Sequence, residues 1–204
     1  MSNPSPPQPV YSPSLAPAPE EPITIGGAML VCIDMQPMFI RIVADGVRVQ
    51  RRCALAIAAT RGLGLPIVFT EQVPDKLGAT AAELTALAPH APALGKKSFS
   101  ALANSEIREA ITGRHRAEHL LICGIETPVC VYQTAIAAIA AGLQVTILSD
   151  AVGARRTDDA QFCLAALARS GVHILPTETV FYSLLHDVTH PFFKPYTQLV
   201  KSHG

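Results

Sequence analysis

Residues His119–Asp150 read HLLICGIETPVCVYQTAIAAIAAGLQVTILSD. The apolar run His119–Gly124 has the length and composition of a buried strand. It breaks at a Gly–Ile–Glu–Thr–Pro turn, and an alanine-rich stretch of helical length, Val129–Ala141, follows. A second apolar run, Gln144–Ser149, closes the unit. Both strands are apolar throughout rather than alternating, which is what a parallel sheet covered on its two faces requires.

The alternation extends outward in both directions. Further strands are expected at Ala28–Asp34, Leu65–Thr70 and Val172–Leu175, and helices over Phe39–Arg61, Ala101–Thr112, Thr157–Ser170, Thr177–Leu185 and Phe192–Lys201. Gly62 and Gly64 supply a stop for the first helix. Glu71–Gly95 reads as irregular, with one short helix expected at Thr80–Leu87. The repeated order predicts a three-layer α/β/α sandwich with a mostly parallel sheet. In such folds ligands sit beyond the carboxyl ends of the strands. The informative residues should therefore lie just after Asp34, Thr70, Gly124 and Ser149.

The chain has 204 residues, 49% of them hydrophobic and 16% charged. This suits one domain with a sizeable core, here expected over 23–204. Residues 1–22 are dense in Pro and Ser and are expected to be a disordered tail without the features of a signal or transit peptide. Lys+Arg and Asp+Glu balance at 16 each, so no net field draws nucleic acid or anionic lipid. No apolar run reaches the ~18–20 residues of a membrane span. The five cysteines, Cys32, Cys53, Cys123, Cys130 and Cys163, lack the spacing of zinc clips and read as reduced thiols of a cytoplasmic protein. There is no P-loop, GxGxxG or GxSxG, and no cofactor is expected.

Three side chains stand where a site belongs. Asp34 ends a strand as a carboxylate after apolar residues; an N-cap for the segment near Pro37 would also account for it. Cys130 follows the Pro128 turn in the first turn of a helix, where the dipole favours a thiolate and free N–H groups point outward. A small buried hydrophobe is the alternative. The third element is the lysine pair of Gly95–Ala101, GKKSFSA, which can polarise a carbonyl or lie exposed.

Taken together, VCIDMQPMF, FTEQVPDKLGAT, KKSFSA and CGIETPVCVYQTA resemble the isochorismatase-like cysteine hydrolases over roughly residues 26–201. Among them, the isochorismatase domain-containing proteins are most similar. The resemblance implies a Rossmann-like, isochorismatase-like hydrolase fold and a catalytic Asp–Lys–Cys set. Asp34 is then the base and Cys130 the nucleophile. Lys96 matches the family lysine, three residues before the aromatic–Ser pair Phe99–Ser100, with Lys97 as the alternative. It also implies a cis peptide at Ile125–Glu126 and an oxyanion hole formed by the backbone N–H groups of Glu126 and Cys130. The expected reaction is metal-independent C–N hydrolysis of a small molecule, since TEQVPDKLG contains none of the histidines of the metal-dependent nicotinamidases. Topology alone places Phe39 and Gln72 at the substrate pocket, with plain packing as the alternative, and a homo-oligomer is expected. A redox-responsive thiol protein and a non-catalytic binding module are the alternatives.

Overall fold

Ala28–Ile33 (β1) is buried at every position and lies at the centre of a six-stranded sheet. The computed structural model describes residues 27–203; the proline- and serine-rich stretch 1–22 lies outside them. The other strands are Ile67–Gln72 (β2), Ala93–Lys96 (β3), His119–Ile125 (β4), Gln144–Gly153 (β5) and His173–Leu175 (β6). All neighbours are parallel, in the order β3-β2-β1-β4-β5-β6. The chain order reverses at β1, between β2 and β4, so the carboxyl ends of these strands frame a crevice.

The unbroken apolar character of the strands has a direct cause. Leu30 and Cys32 of β1 pack into one core, while Met29, Val31 and Ile33 pack into a second core on the opposite face. The first core is closed by Gly46–Gly62 (α2), Thr177–Leu185 (α8) and Phe193–His203 (α9). Tyr132–Ala140 (α6) and Thr157–Arg169 (α7) close the second. In α6, Ala135 and Ala138 are fully buried, and their small side chains allow the helix to lie close to the sheet.

Several elements differ from the sequence expectation. The helix expected over Phe39–Arg61 is two helices, Pro37–Ile40 (α1) and α2, separated by Asp45 in the left-handed conformation with φ 53°. The irregular stretch Glu71–Gly95 holds Pro74–Leu77 (α3), Ala82–Thr85 (α4) and the start of β3. β3 was hidden because only four residues form it and two of them are exposed at the sheet edge. Ala101–Thr112 is not one helix: a 3₁₀ turn at Ala101–Ala103 leads to Ser105–Arg108 (α5), then to a wide π turn at Glu109–Arg114. Asn104 caps α5, its side chain accepting from the N–H groups of Glu106 and Ile107. The expected Val129–Ala141 helix opens as a π turn at Thr127–Val131 before α6. β5 continues past Ser149 to Gly153, because the register against β4 shifts between Ile122 and Gly124.

Gly124 makes that shift possible. Its φ is +111°, and a Cβ there would collide with the backbone of Ile33 on β1. A side chain is strained at this φ and has no space. Gly124→Ala should therefore cost about 2–4 kcal/mol. Urea unfolding would show this as a lower midpoint at unchanged slope; an unaltered midpoint would mean that β4 can move away from β1.

Candidate active site

Four adjacent strands deliver the site. β1 runs into Asp34, β2 ends at Gln72, β3 ends at Lys96, and the turn after β4 carries Cys130. The Lys96 Nζ lies 2.7 Å from Asp34 Oδ2, 2.6 Å from Gln72 Oε1 and 3.5 Å from Cys130 Sγ. A weaker bond of 3.3 Å runs to the Ser98 carbonyl. Asp34, Lys96 and Cys130 thus meet in one place, and the Lys96 and Asp34 side chains are 0% and 1% exposed. Of the two adjacent lysines it is Lys96 that reaches this place, while Lys97 is exposed. Lys96 pairs with Gln72 across the sheet, and a step of one residue on a strand turns the side chain to the other face.

Asp34 does not cap a helix. Gln36 occupies the cap position of α1, while the second Asp34 oxygen accepts from Thr70 Oγ1 at 2.7 Å. Asp34 takes the left-handed conformation, φ 50°, with its N–H on the Thr70 carbonyl at 3.0 Å. A non-glycine residue in that region is held there by its surroundings. Beneath it, Gln36 is fully buried. Its amide donates to the carbonyls of Gln72 (3.0 Å) and Gly78 (2.6 Å) and accepts from the Gln72 N–H (2.7 Å). Gln36 thereby fixes the end of β2, and with it the Gln72 side chain that receives the lysine. Gln36 and Thr70 were missed as site residues. The only signal was that Gln36 stands within IDMQ, beside Asp34.

The thiol differs from expectation. Burial pushes the Cys130 pKa up to about 12; the Asp34 carboxylate adds to this, and Lys96 opposes it only in part. The helix end expected to favour a thiolate is outweighed, because a sulfur anion loses its water and faces a carboxylate. Free Cys130 is a neutral thiol beside an acceptor that can take its proton.

Above these groups is a cavity of about 340 Å³. Phe39, Phe99, Ile125 and Val129 form its apolar wall, with Asp34, Gln72 and Cys130 at its base. Phe39 and Gln72 are where the topology placed them. Glu126 and Arg155 complete the lining, joined by an ion pair of 2.8 Å. The Ile125–Glu126 peptide is cis. A strand ending at Ser149 gives no reason to single out Arg155; the four further residues of β5 carry the chain to the cavity. Asp150, just after Ser149, faces elsewhere: it pairs with Arg52 and accepts from the N–H and hydroxyl of Thr177 at the start of α8.

On the first core face, Cys32, Cys53 and Cys123 bring their sulfurs within 4.8 Å of one another, all buried. Their linear spacing concealed this, since β1, α2 and β4 each contribute one.

Residues 28–179 match the isochorismatase domain family. The chain belongs to that family. The isochorismatase domain-containing protein 2 of Danio rerio is 35% identical over 179 residues, 87% of this chain and 88% of that protein. The fold is also that of the MAR1 ribonuclease of Caenorhabditis elegans, with a TM-score of 0.83 at 26% identity, covering 89% of this chain and 93% of that one. The YcaC gene product of Escherichia coli, described as an octameric hydrolase of unknown specificity, superimposes with a TM-score of 0.80 at 21% identity, covering 91% and 97%. Membership in the isochorismatase family supports a hydrolase role. Among the described residues of this family member no helix is long and apolar enough to cross a membrane.

Proposed function

We propose that this isochorismatase-family protein is a metal-independent cysteine hydrolase that cleaves a C–N bond of a small molecule. The observation that supports it most is the meeting of the Cys130 thiol, the Lys96 ammonium and the Asp34 carboxylate at the floor of one small cavity. Asp34 takes the thiol proton as Cys130 Sγ bonds to the amide carbon. The carbonyl oxygen becomes an oxyanion, received by the backbone N–H groups of Glu126 and Cys130. As the C–N bond breaks, the proton passes from Asp34 to the departing nitrogen and an amine or ammonia leaves. Water then attacks the thioester, giving one proton to Asp34; the carboxylic acid departs and sulfur recovers the proton. Lys96 holds Asp34 in place between the two half-reactions.

The redox-sensor alternative fits less well. Peroxide reacts with thiolate, and a thiol held near 12 supplies very little of it at neutral pH. A homo-oligomer belongs to the same reading, supported by apolar side chains left in solvent at Phe99, Phe162 and Val188.

The test is ammonia release across amides, ureas and carbamoyl compounds, run beside Cys130→Ala. Turnover is expected in the parent and a fall of at least about 10³-fold in the variant, with the unfolding free energy unchanged within about 1 kcal/mol. Equal rates would rule out Cys130 as the nucleophile.

A further inference from the structure

The charges around the cavity cancel in two pairs. Asp34 is bound to Lys96 at the base. At the rim, both Glu126 oxygens face Arg155: Nε is 2.8 Å from Oε1 and 3.1 Å from Oε2, and the Arg155 backbone N–H is 3.4 Å from Oε2. The Glu126 side chain is only 12% exposed and is committed to this pairing, while Arg155 is 57% exposed and meets it through Nε and the backbone N–H. Between floor and rim the wall is Phe39, Phe99, Ile125 and Val129. A cavity of about 340 Å³ holds roughly eleven non-hydrogen atoms at about 30 Å³ each.

We infer that the cavity selects an uncharged amide whose acyl group is apolar, aromatic or branched, of about five to eight carbons. This rests on the C–N hydrolase reading and narrows its substrate class. A carboxylate on the substrate would meet Arg155 together with the Glu126 charge that offsets it, or enter the apolar wall without a partner, and either costs binding. Urea and acetamide reach the floor but leave Phe39 and Phe99 uncovered, so they forgo the apolar contact that provides most of the attraction in such a pocket. Arg155 therefore acts as a latent selectivity element: Glu126 offsets its charge, and loss of that carboxylate would turn the rim towards anionic substrates.

Binding can be measured apart from turnover. In Cys130→Ala, calorimetric titration with acetamide, butyramide, benzamide and 4-carbamoylbenzoate is expected to give affinity rising about three- to fourfold per added methylene. Benzamide should bind at least tenfold more tightly than its carboxylated analogue. Protection of wild-type Cys130 from alkylation should follow the same order, a readout that does not depend on the variant. Adding Glu126→Gln to Cys130→Ala should raise affinity for 4-carbamoylbenzoate relative to benzamide at least tenfold, because the charge of Arg155 is no longer offset. Tighter binding of urea or of the carboxylate in Cys130→Ala, or no binding of any apolar amide, would overturn the inference. Preferred turnover of the carboxylated amide by the wild type would overturn it while sparing the hydrolase. Binding in the expected order without ammonia release from any amide would instead overturn the C–N reading and leave the pocket preference standing.

Discussion

Asp34→Asn is expected to lower kcat/KM by at least about 10³-fold while making Cys130 easier to ionise. The two effects have one cause. Asp34 is the carboxylate that shares the Lys96 ammonium with the thiol, so its loss removes the base. It is also a negative charge whose field pushes the thiol pKa up, so its loss lowers that pKa. The Lys96 ammonium, 2.7 Å from Asp34 and 3.5 Å from Sγ, then has sulfur as the remaining partner able to become anionic. The sign can be followed with pH. A thiol near 12 is protonated throughout the physiological range, so wild-type alkylation by iodoacetamide should climb about tenfold per pH unit from 7 to 10 without a plateau. In Asp34→Asn the whole profile should move to lower pH, so alkylation at pH 8 becomes faster as turnover vanishes. Slower alkylation in the variant would mean that the carboxylate does not act on this thiol; undiminished turnover would remove Asp34 as the base.

Lys96→Met should have the second large effect, on stability as well as activity. Four contacts converge on Lys96 Nζ, and removing it leaves the 1%-exposed Asp34 carboxylate with Thr70 as its remaining side-chain partner. A buried charge stripped of its partner costs about 3–5 kcal/mol, whereas removing both charges costs far less. Urea denaturation should therefore show a strong loss in Lys96→Met and recovery of at least half of it in Asp34→Asn/Lys96→Met. Additive losses would show that the two groups do not stabilise one another. Activity should remain absent in both variants, because the double change restores packing and not chemistry.

Local chemistry explains what was legible from the chain alone. β1, β2, β4 and the helices that cross the sheet are announced by apolar runs and by glycine or proline at their ends, because burial on both faces demands apolar residues at every position. CGIETPVC marks the turn that carries Cys130, and the resemblance carried by the same motifs points to Asp34, Lys96 and Cys130. β3 escaped because a short edge strand needs little burial, and the break at Asp45 escaped because nothing in Arg41–Asp45 forbids a helix.

By itself, then, the sequence determined the layered parallel architecture from residue type and short-range order, and its motifs carried the resemblance that points to the family, to Asp34 and Cys130, and to one of the lysines Lys96 and Lys97. Tertiary pairing decided the rest. Gln36 reaches Gln72, Thr70 reaches Asp34, and Arg155 turns onto Glu126, across separations of 36, 36 and 29 residues. The choice of Lys96 over Lys97 came from the register of β3 on β2, and the neutral state of Cys130 from the depth at which it is buried. Register, depth and the field of a neighbour belong to the packed molecule, because they arise only when distant segments exclude water between them.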